Sequence, residues 1–119
     1  MKALIWLGLL LFASPVFSAE ANQEIESLLS FLKAQSGVVF VRNGSEHTST
    51  QAESHLRMKW DRQRKKIRSA DDFIAACASK SSISGTRYFI RYANGQTRFA
   101  DEVLRDELRR LREAEKRSS

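Results

Sequence analysis

The sequence has few of the residues on which disulfides and metal sites depend: one cysteine and two histidines among 119 residues. A single cysteine cannot form an internal disulfide. Cys77 lies among alanines and close to Phe73 and Ile74, so we expect a buried small hydrophobe rather than a reactive thiol. The two histidines are too few, and have no recognisable ligand spacing, for a metal site. We therefore expect no metal.

The sequence also lacks the glycine-rich motifs of nucleotide-binding and hydrolytic enzymes. Neither the phosphate-binding pattern GxxxxGK followed by Ser or Thr nor the nucleophile elbow GxSxG occurs. There is no internal repeat and no low-complexity tract, and the length suits one domain. From these absences we expect no cofactor and assign no catalytic residue.

The one long apolar run lies at the N-terminus, over residues 3–13, and Pro15 follows it. Proline ends a helix because it has no N–H to donate, and a helix that spans a bilayer needs about 20 apolar residues. The run therefore predicts a cleaved secretory signal peptide over residues 1–18, with cleavage after Ser18 or Ala21. We expect a periplasmic or secreted protein whose mature form has no transmembrane segment.

Acidic residues are in the minority, at 14 against 20 lysines and arginines, which gives a formal charge of +6. The leader carries only Lys2, so its removal lowers this charge by one and the mature chain stays basic. A basic surface attracts anions. For an exported protein these are envelope glycans, lipid head groups or acidic protein faces, and nucleic acid is not expected. The densest basic segment, Arg57 to Arg68, is either a helix face for such a partner or an ordinary solvated surface, since Asp61 interrupts it.

Periodicity and capping signals predict four helices. Apolar residues at helical spacing indicate the first helix over Asn22–Gln35. Thr50 and Glu53 have capping-box spacing, which predicts that the second helix begins there. Ser69 is expected to cap the third helix, and Asp101 the fourth.

Short β-branched and aromatic segments predict the strands. Val38–Val41 indicates a buried strand, and Arg87–Tyr92 alternates in the way a half-buried strand requires. Asn94-Gly95 is a hairpin signal, after which a brief strand is expected at Thr97–Phe99.

These elements define the expected architecture. Helices that cover one face of a small sheet form an α+β fold. We expect about four helices packed against a small, mostly antiparallel two- or three-stranded sheet, in a single domain over residues 22–113. The charged tail over 114–119 is expected to fray.

Three stretches of the sequence together resemble a known family. The residues that carry the likeness are Ser36-Gly37, Phe40-Val41-Arg42-Asn43-Gly44, Ala52, His55-Leu56, Lys59, Phe73-Ile74, Ala78-Ser79, Ser81-Ser82, Ser84-Gly85 and Tyr88. In combination they are similar to the family of small exported bacterial proteins called domain of unknown function 5329. The family has no established activity, so the resemblance implies no catalytic residues.

The resemblance does imply one structural relation. Many members of the family carry cysteines at the positions matching Val38 and Tyr92, and both are absent here. Loss of both together fits the loss of one disulfide. It implies that the strand at Val38–Val41 lies beside the strand at Arg87–Tyr92 in this protein too.

Two polar segments are candidates for binding an anionic or sugar group. The first is Arg42-Asn43-Gly44, which offers an arginine and turn amides to an anion, or is only the turn that closes a strand. The second consists of Ser81, Ser82, Ser84 and Gly85. It offers hydroxyls and a flexible backbone, although serine-rich connections most often cap helices and form turns.

The second helix adds His55 and Lys59, which are four residues apart and share a face. His55 is expected to hydrogen-bond a turn or another helix, and His47 to be exposed. We predict a non-enzymatic binding or interaction module in which these residues and the two polar segments form one surface for an anionic partner. The alternative is a small hydrolase, in which His55 would activate Ser81, Ser82 or Ser84, oriented by Asp71 or Asp72.

Overall fold

The computed structural model describes residues 19–118, and the predicted signal peptide lies outside them. The first helix, α1, covers residues 19–34 of the described chain. The elements that follow are β1 (Val39–Arg42), β2 (Ser45–His47), α2 (Ser49–Arg62), α3 (Ala70–Cys77), β3 (Phe89–Arg91), β4 (Thr97–Phe99) and α4 (Ala100–Ser118). The predicted α+β class is confirmed. The sheet has four strands rather than two or three.

All neighbouring strands pair antiparallel, in the order β2-β1-β3-β4. Val39 pairs with Arg91 and Phe40 with Ile90, so the strand pairing that the family resemblance implied is confirmed. Continued by one residue, this register sets Val38 across from Tyr92. Both side chains are partly buried against the core.

The strand missed by sequence analysis is β2, whose residues are Ser45, Glu46 and His47. Its composition carries no β-branched or aromatic signal. It forms because Asn43-Gly44 makes a two-residue hairpin turn, with φ of +52° and +77°, and this turn returns the chain along β1.

The core lies between the helices and one face of the sheet. Trp60 of α2 packs edge-on against Phe73 of α3, with 6.1 Å between the ring centroids. Ile90 from the sheet and Leu104 from α4 are almost wholly buried in the same cluster. The α1 residues in this cluster are Ile25, Leu28, Leu29 and Leu32. Burial raises the pKa of the Cys77 thiol to about 11, which agrees with an unreactive side chain.

Helix α2 begins earlier than predicted, and it ends within the basic segment. Its N-cap is Thr48, whose hydroxyl accepts from the Gln51 N–H at 3.1 Å while the Gln51 side chain accepts from the Thr48 N–H. The prediction that Thr50 begins the helix was therefore wrong by one or two residues. The helix ends at Arg62, so the basic segment through Arg68 is not one continuous helix face. The predicted cap of α3 is confirmed, since the Ser69 hydroxyl accepts from the Asp72 N–H.

Helix α4 begins at Ala100, so Asp101 lies within its first turn rather than before it. The Asp101 carboxylate accepts from Arg87 and Arg105, and these bonds hold its pKa below the usual value although burial opposes the shift. At the other end, residues 114–118 are helical, where we expected fraying. The Ser118 hydroxyl donates to the Ala114 carbonyl there. Within residues 19–118, no helix is both long and apolar enough to cross a membrane.

Candidate functional site

Side-chain hydrogen bonds join the hairpin turn to the serine-rich connection. We call this connection, residues 80–86, the serine loop. Asn43 donates from Nδ2 to the Ser81 hydroxyl at 3.0 Å, and its Oδ1 accepts from the Ser84 hydroxyl. The two segments, which are about forty positions apart in the sequence, thus form one rim.

Ser81 organises the serine loop from inside. Its side chain is only 4% exposed, and its hydroxyl oxygen accepts from the backbone N–H groups of Ile83 and Ser84 at 3.2 and 3.3 Å. Gly85, with φ of +75°, donates its N–H to the Ser81 carbonyl at 2.9 Å. These bonds occupy Ser81 and fix the loop in one shape. By contrast, Ser82 is exposed and makes no hydrogen bond to the described residues.

Lys59 of α2 is the most deeply buried cation at this rim, at 5% exposure. Its ammonium donates to the Lys80 carbonyl at 3.0 Å and to the Tyr88 hydroxyl at 3.1 Å. A buried charge is costly unless it has a partner of opposite sign. No carboxylate of the described chain pairs with Lys59, so its charge is not compensated by residues 19–118.

His55 lies between Arg42 and Tyr88. Arg42 Nη1 is 2.6 Å from Nδ1 of the ring and 2.9 Å from Nε2, and the Tyr88 hydroxyl is 3.3 Å from Nε2. Desolvation, and then the charges of Arg42 and Lys59, lower the pKa of His55 to about 4. At neutral pH His55 is therefore uncharged, and it accepts a hydrogen bond from Arg42.

This neutral state sets the role of the Tyr88 hydroxyl. Arginine can only donate, and its shorter contact is with Nδ1, so we assign Nδ1 as the acceptor and Nε2–H as a donor to Tyr88. The Tyr88 oxygen then accepts from both Lys59 and His55. Its own proton is left to donate to another group.

These side chains line an open cleft of about 350 Å³, which we call the cationic cleft. Its lining residues are Arg42, Asn43, Ser45, His55, Met58, Lys59, Arg62, Ser81, Ser82, Ile83 and Tyr88. None of them is acidic. Three are cations, and none of the three forms a salt bridge with a residue of the described chain.

Arginines elsewhere on the molecule are arranged differently. Arg57 pairs with two carboxylates, and so do Arg87 and Arg112. The run of acidic and basic residues on α4 likewise resolves into pairs such as Arg109 with Asp106, as its spacing predicted. Arg68, outside the cleft, also has no salt bridge within the described residues, so the property that distinguishes the cationic cleft is that three such cations line it together and no carboxylate does.

The structure brings all the predicted site residues to one region, but in two roles. Arg42, Lys59 and Ser82 face the cleft with groups free to donate, and His55 lines it with both ring nitrogens engaged by Arg42 and Tyr88. Those that build the turn and the loop are Asn43, Gly44, Ser81, Ser84 and Gly85.

Sequence analysis missed five of the lining residues, which are Arg62, Met58, Ser45, Ile83 and Tyr88. The first two had a detectable signal, because together with His55 and Lys59 they recur at the three- and four-residue spacing of one helix face. Tyr88 was interpreted only as part of the strand alternation.

The geometry that the hydrolase alternative requires is not found. No hydrogen bond joins His55 to Ser81, Ser82 or Ser84 in the described part of the chain, and the Ser81 hydroxyl oxygen already accepts three hydrogen bonds. Asp72 accepts from the Arg68 N–H and Asp71 pairs with Arg112, so neither orients His55. Over the same residues, no group of three potential metal ligands occurs.

His47 differs from the prediction, because it is half-buried rather than exposed. Its Nε2 is buried and has no hydrogen-bond partner in the described structure. The ring lines an apolar hollow of about 40 Å³ behind the cationic cleft, a volume that suits a water molecule.

Sequence comparison assigns the chain to a family. Residues 19–112 match the model of a family of unknown function, DUF5329, and the chain belongs to this family. It is 38% identical over 86 residues to the uncharacterized protein YfeK of Salmonella typhimurium, an alignment that covers 72% of each chain. No solved structure matches.

Proposed function

We propose that this protein is a non-enzymatic binding module that takes an anionic group into the cationic cleft. The observation that carries the proposal is the set of three cations, Arg42, Lys59 and Arg62, on a cleft without a lining carboxylate. Because no acidic side chain lines the cleft, an anion would meet no negative charge there. A bound anion would compensate the positive charge of these three side chains, which have no carboxylate partner in the described chain.

The available donors suit a tetrahedral or planar oxyanion. Arg42 uses Nη1 on His55, so its remaining N–H groups are free for a fork-like contact. Lys59 has three N–H donors and spends two on Lys80 and Tyr88. The Tyr88 and Ser82 hydroxyls add neutral donors. Phosphate, sulfate and carboxylate groups share this chemistry.

Calorimetric titration with inorganic phosphate and glycerol phosphate tests the proposal. The wild type should bind, and Arg42→Gln should weaken binding about tenfold or more, since a charge-assisted hydrogen bond contributes about 1.5–3 kcal/mol. Arg68→Gln is the matched control. Arg68 is exposed, has no salt bridge within residues 19–118 and lies outside the cleft, so its loss should leave affinity unchanged.

Equal weakening by Arg42→Gln and Arg68→Gln would mean that only net charge matters, and would contradict a defined site. Absence of phosphate, sulfate and carboxylate binding by the wild type would refute the proposal altogether.

We also propose that the protein acts outside the cytoplasm. The support is the predicted signal peptide, with its basic start, apolar run and small residues near position 18. Cell fractionation followed by intact-mass measurement tests this. A periplasmic or secreted chain starting at Ala19 or Asn22 is expected, and a cytoplasmic chain that retains the leader would contradict it.

A further inference from the structure

The rim of the cationic cleft carries apolar side chains exposed to solvent. Ile83, at the tip of the serine loop, is 96% exposed, and Met58 of α2 is 39% exposed. Both line the cleft. The third large apolar side chain exposed on the described surface, Phe99, is instead covered on one face by the Arg87 guanidinium, 3.5 Å from its ring centroid.

The hydrogen bonds of the serine loop keep Ile83 directed outward. The Ile83 N–H is bound to the Ser81 hydroxyl, and Ser84 is tied to both Ser81 and Asn43. Residues 79–88 contain no acidic side chain, and the cations of the cleft lie beside the loop. An apolar tip beside unpaired cations is suited to a surface that is apolar inside and anionic outside.

We infer that the cationic cleft receives the head group of an anionic phospholipid at a bilayer surface, with Ile83 inserted among the neighbouring lipids. This inference rests on the proposed function, because it names the source of the anion. It adds that the binding partner is a membrane rather than a dissolved anion.

The dimensions of the site favour a lipid that remains in its bilayer. The cleft, at about 350 Å³, has room for a phosphate-bearing head group. The apolar hollow behind it, at about 40 Å³, admits no acyl chain. The apolar part of such a ligand must therefore stay outside the protein, on the side where Ile83 and Met58 are exposed. A bilayer satisfies this condition, and it supplies an apolar medium for the Ile83 side chain.

Co-sedimentation with vesicles tests the inference. We would use the purified protein, with its N-terminus determined by mass spectrometry, and vesicles of phosphatidylcholine alone or mixed with phosphatidylglycerol. The wild type should sediment with the mixed vesicles only. Ile83→Ser should weaken this partitioning about tenfold, because the isoleucine side chain no longer transfers from water to lipid. Ile83→Leu keeps an apolar side chain and should partition onto the mixed vesicles as the wild type does.

A second measurement reports the position of the loop tip. In Ile83→Trp the new indole should shift its fluorescence to shorter wavelength on mixed vesicles and not on neutral ones. Of the two native tryptophans, Trp60 is buried within the core and Trp6 belongs to the predicted signal peptide, so neither should contribute such a change in the mature protein.

The outcomes separate this inference from the proposed function. The fold loss of vesicle binding in Ile83→Ser should exceed any fold change in its affinity for glycerol phosphate, because Ile83 is not one of the charged or hydroxyl donors. If the wild type binds glycerol phosphate but not the mixed vesicles, the membrane inference fails and the proposed function stands. If Ile83→Ser sediments as well as the wild type, attraction is purely electrostatic and the inference also fails. Binding of a peptide with an apolar C-terminal residue, without binding of vesicles, would overturn it in favour of a protein partner.

Discussion

His55 and Lys59 are four residues apart on α2 and face the same cleft, yet only one of them is charged at neutral pH. Burial and the neighbouring cations lower the pKa of His55 to about 4. Its neutral ring accepts from Arg42, so it positions the guanidinium rather than adding to the positive charge. Sequence analysis identified both residues, but it assigned neither the neutral state of His55 nor the burial of Lys59.

The neutral state of His55 predicts a pH dependence of stability. In the unfolded chain its pKa is near 6.5 and in the native protein about 4, so the unfolded state binds more protons between these values. The free energy of unfolding should therefore decrease as the pH falls from 6.5 to 4, by about 1–2 kcal/mol, because solvent reduces the effect for a ring that is partly exposed. The charged groups that cause the shift are Arg42, Lys59 and Arg62, with His47 close by.

Urea unfolding of the wild type and His55→Gln across this range measures the effect. Carboxylates elsewhere titrate in both proteins, so the difference between the two curves isolates His55. That difference should be pH-dependent between 6.5 and 4 and flat above 7. Parallel curves over the whole range would contradict the account.

At the scale of elements, neighbouring residues of the serine loop have different roles. Ser81 and Ser82 are adjacent and chemically identical, but Ser81 is buried and accepts three hydrogen bonds, whereas Ser82 is exposed and faces the cleft. The first should matter for stability and the second for binding.

This division predicts opposite results for two alanine variants. Ser81→Ala should lower the free energy of unfolding by about 1–3 kcal/mol, because it leaves two N–H groups and the Asn43 amide without an acceptor. Ser82→Ala should change it by less than about 0.5 kcal/mol, as surface substitutions usually do. In a phosphate titration, Ser82→Ala should weaken binding about fivefold, which corresponds to one neutral hydrogen bond. A stability loss in Ser82→Ala equal to that in Ser81→Ala would contradict the assigned roles.

Most elements could be predicted from the sequence, and the errors have identifiable physical causes. Thr48 and Thr50 each have a capping-box partner three residues later, Gln51 and Glu53, so the sequence alone could not decide between two starts of α2. Strand β2 has no intrinsic strand preference and exists through its pairing with β1, a tertiary effect. The same holds for the cationic cleft. Lys59 was predicted to share a helix face with His55 in a binding surface, and only the packing of Tyr88 and the serine loop buries it.

At the scale of the whole molecule, the pairing of β1 with β3 joins the first half of the chain to the second. The register that sets Val38 across from Tyr92 is compatible with the cysteine pair that the family resemblance implied at these two positions. It also connects the hairpin turn after β1 to the serine loop before β3, which together form the cleft rim.

This register predicts that a double variant, Val38→Cys with Tyr92→Cys, forms a disulfide on oxidation. The bridge closes a loop of roughly fifty residues, so the oxidised form should be about 2–4 kcal/mol more stable than the reduced form of the same variant. Non-reducing electrophoresis and urea unfolding measure the two properties. Cys77 should not compete, because it is buried and its pKa is raised. Failure to oxidise, in a variant that is otherwise folded, would contradict the strand register.

The central claim is that the cations of the cleft bind a ligand and do not stabilise the fold. The variant Lys59→Met tests this claim most directly. Methionine fills a similar volume without the charge, and replacement of buried charges by apolar side chains is often neutral or stabilising. The measurement is the free energy of unfolding and the phosphate affinity of the same variant. The account predicts that stability is unchanged or higher while phosphate binding falls at least tenfold. A stability loss of more than about 2 kcal/mol with phosphate binding retained would show that Lys59 serves the fold, and would contradict the account.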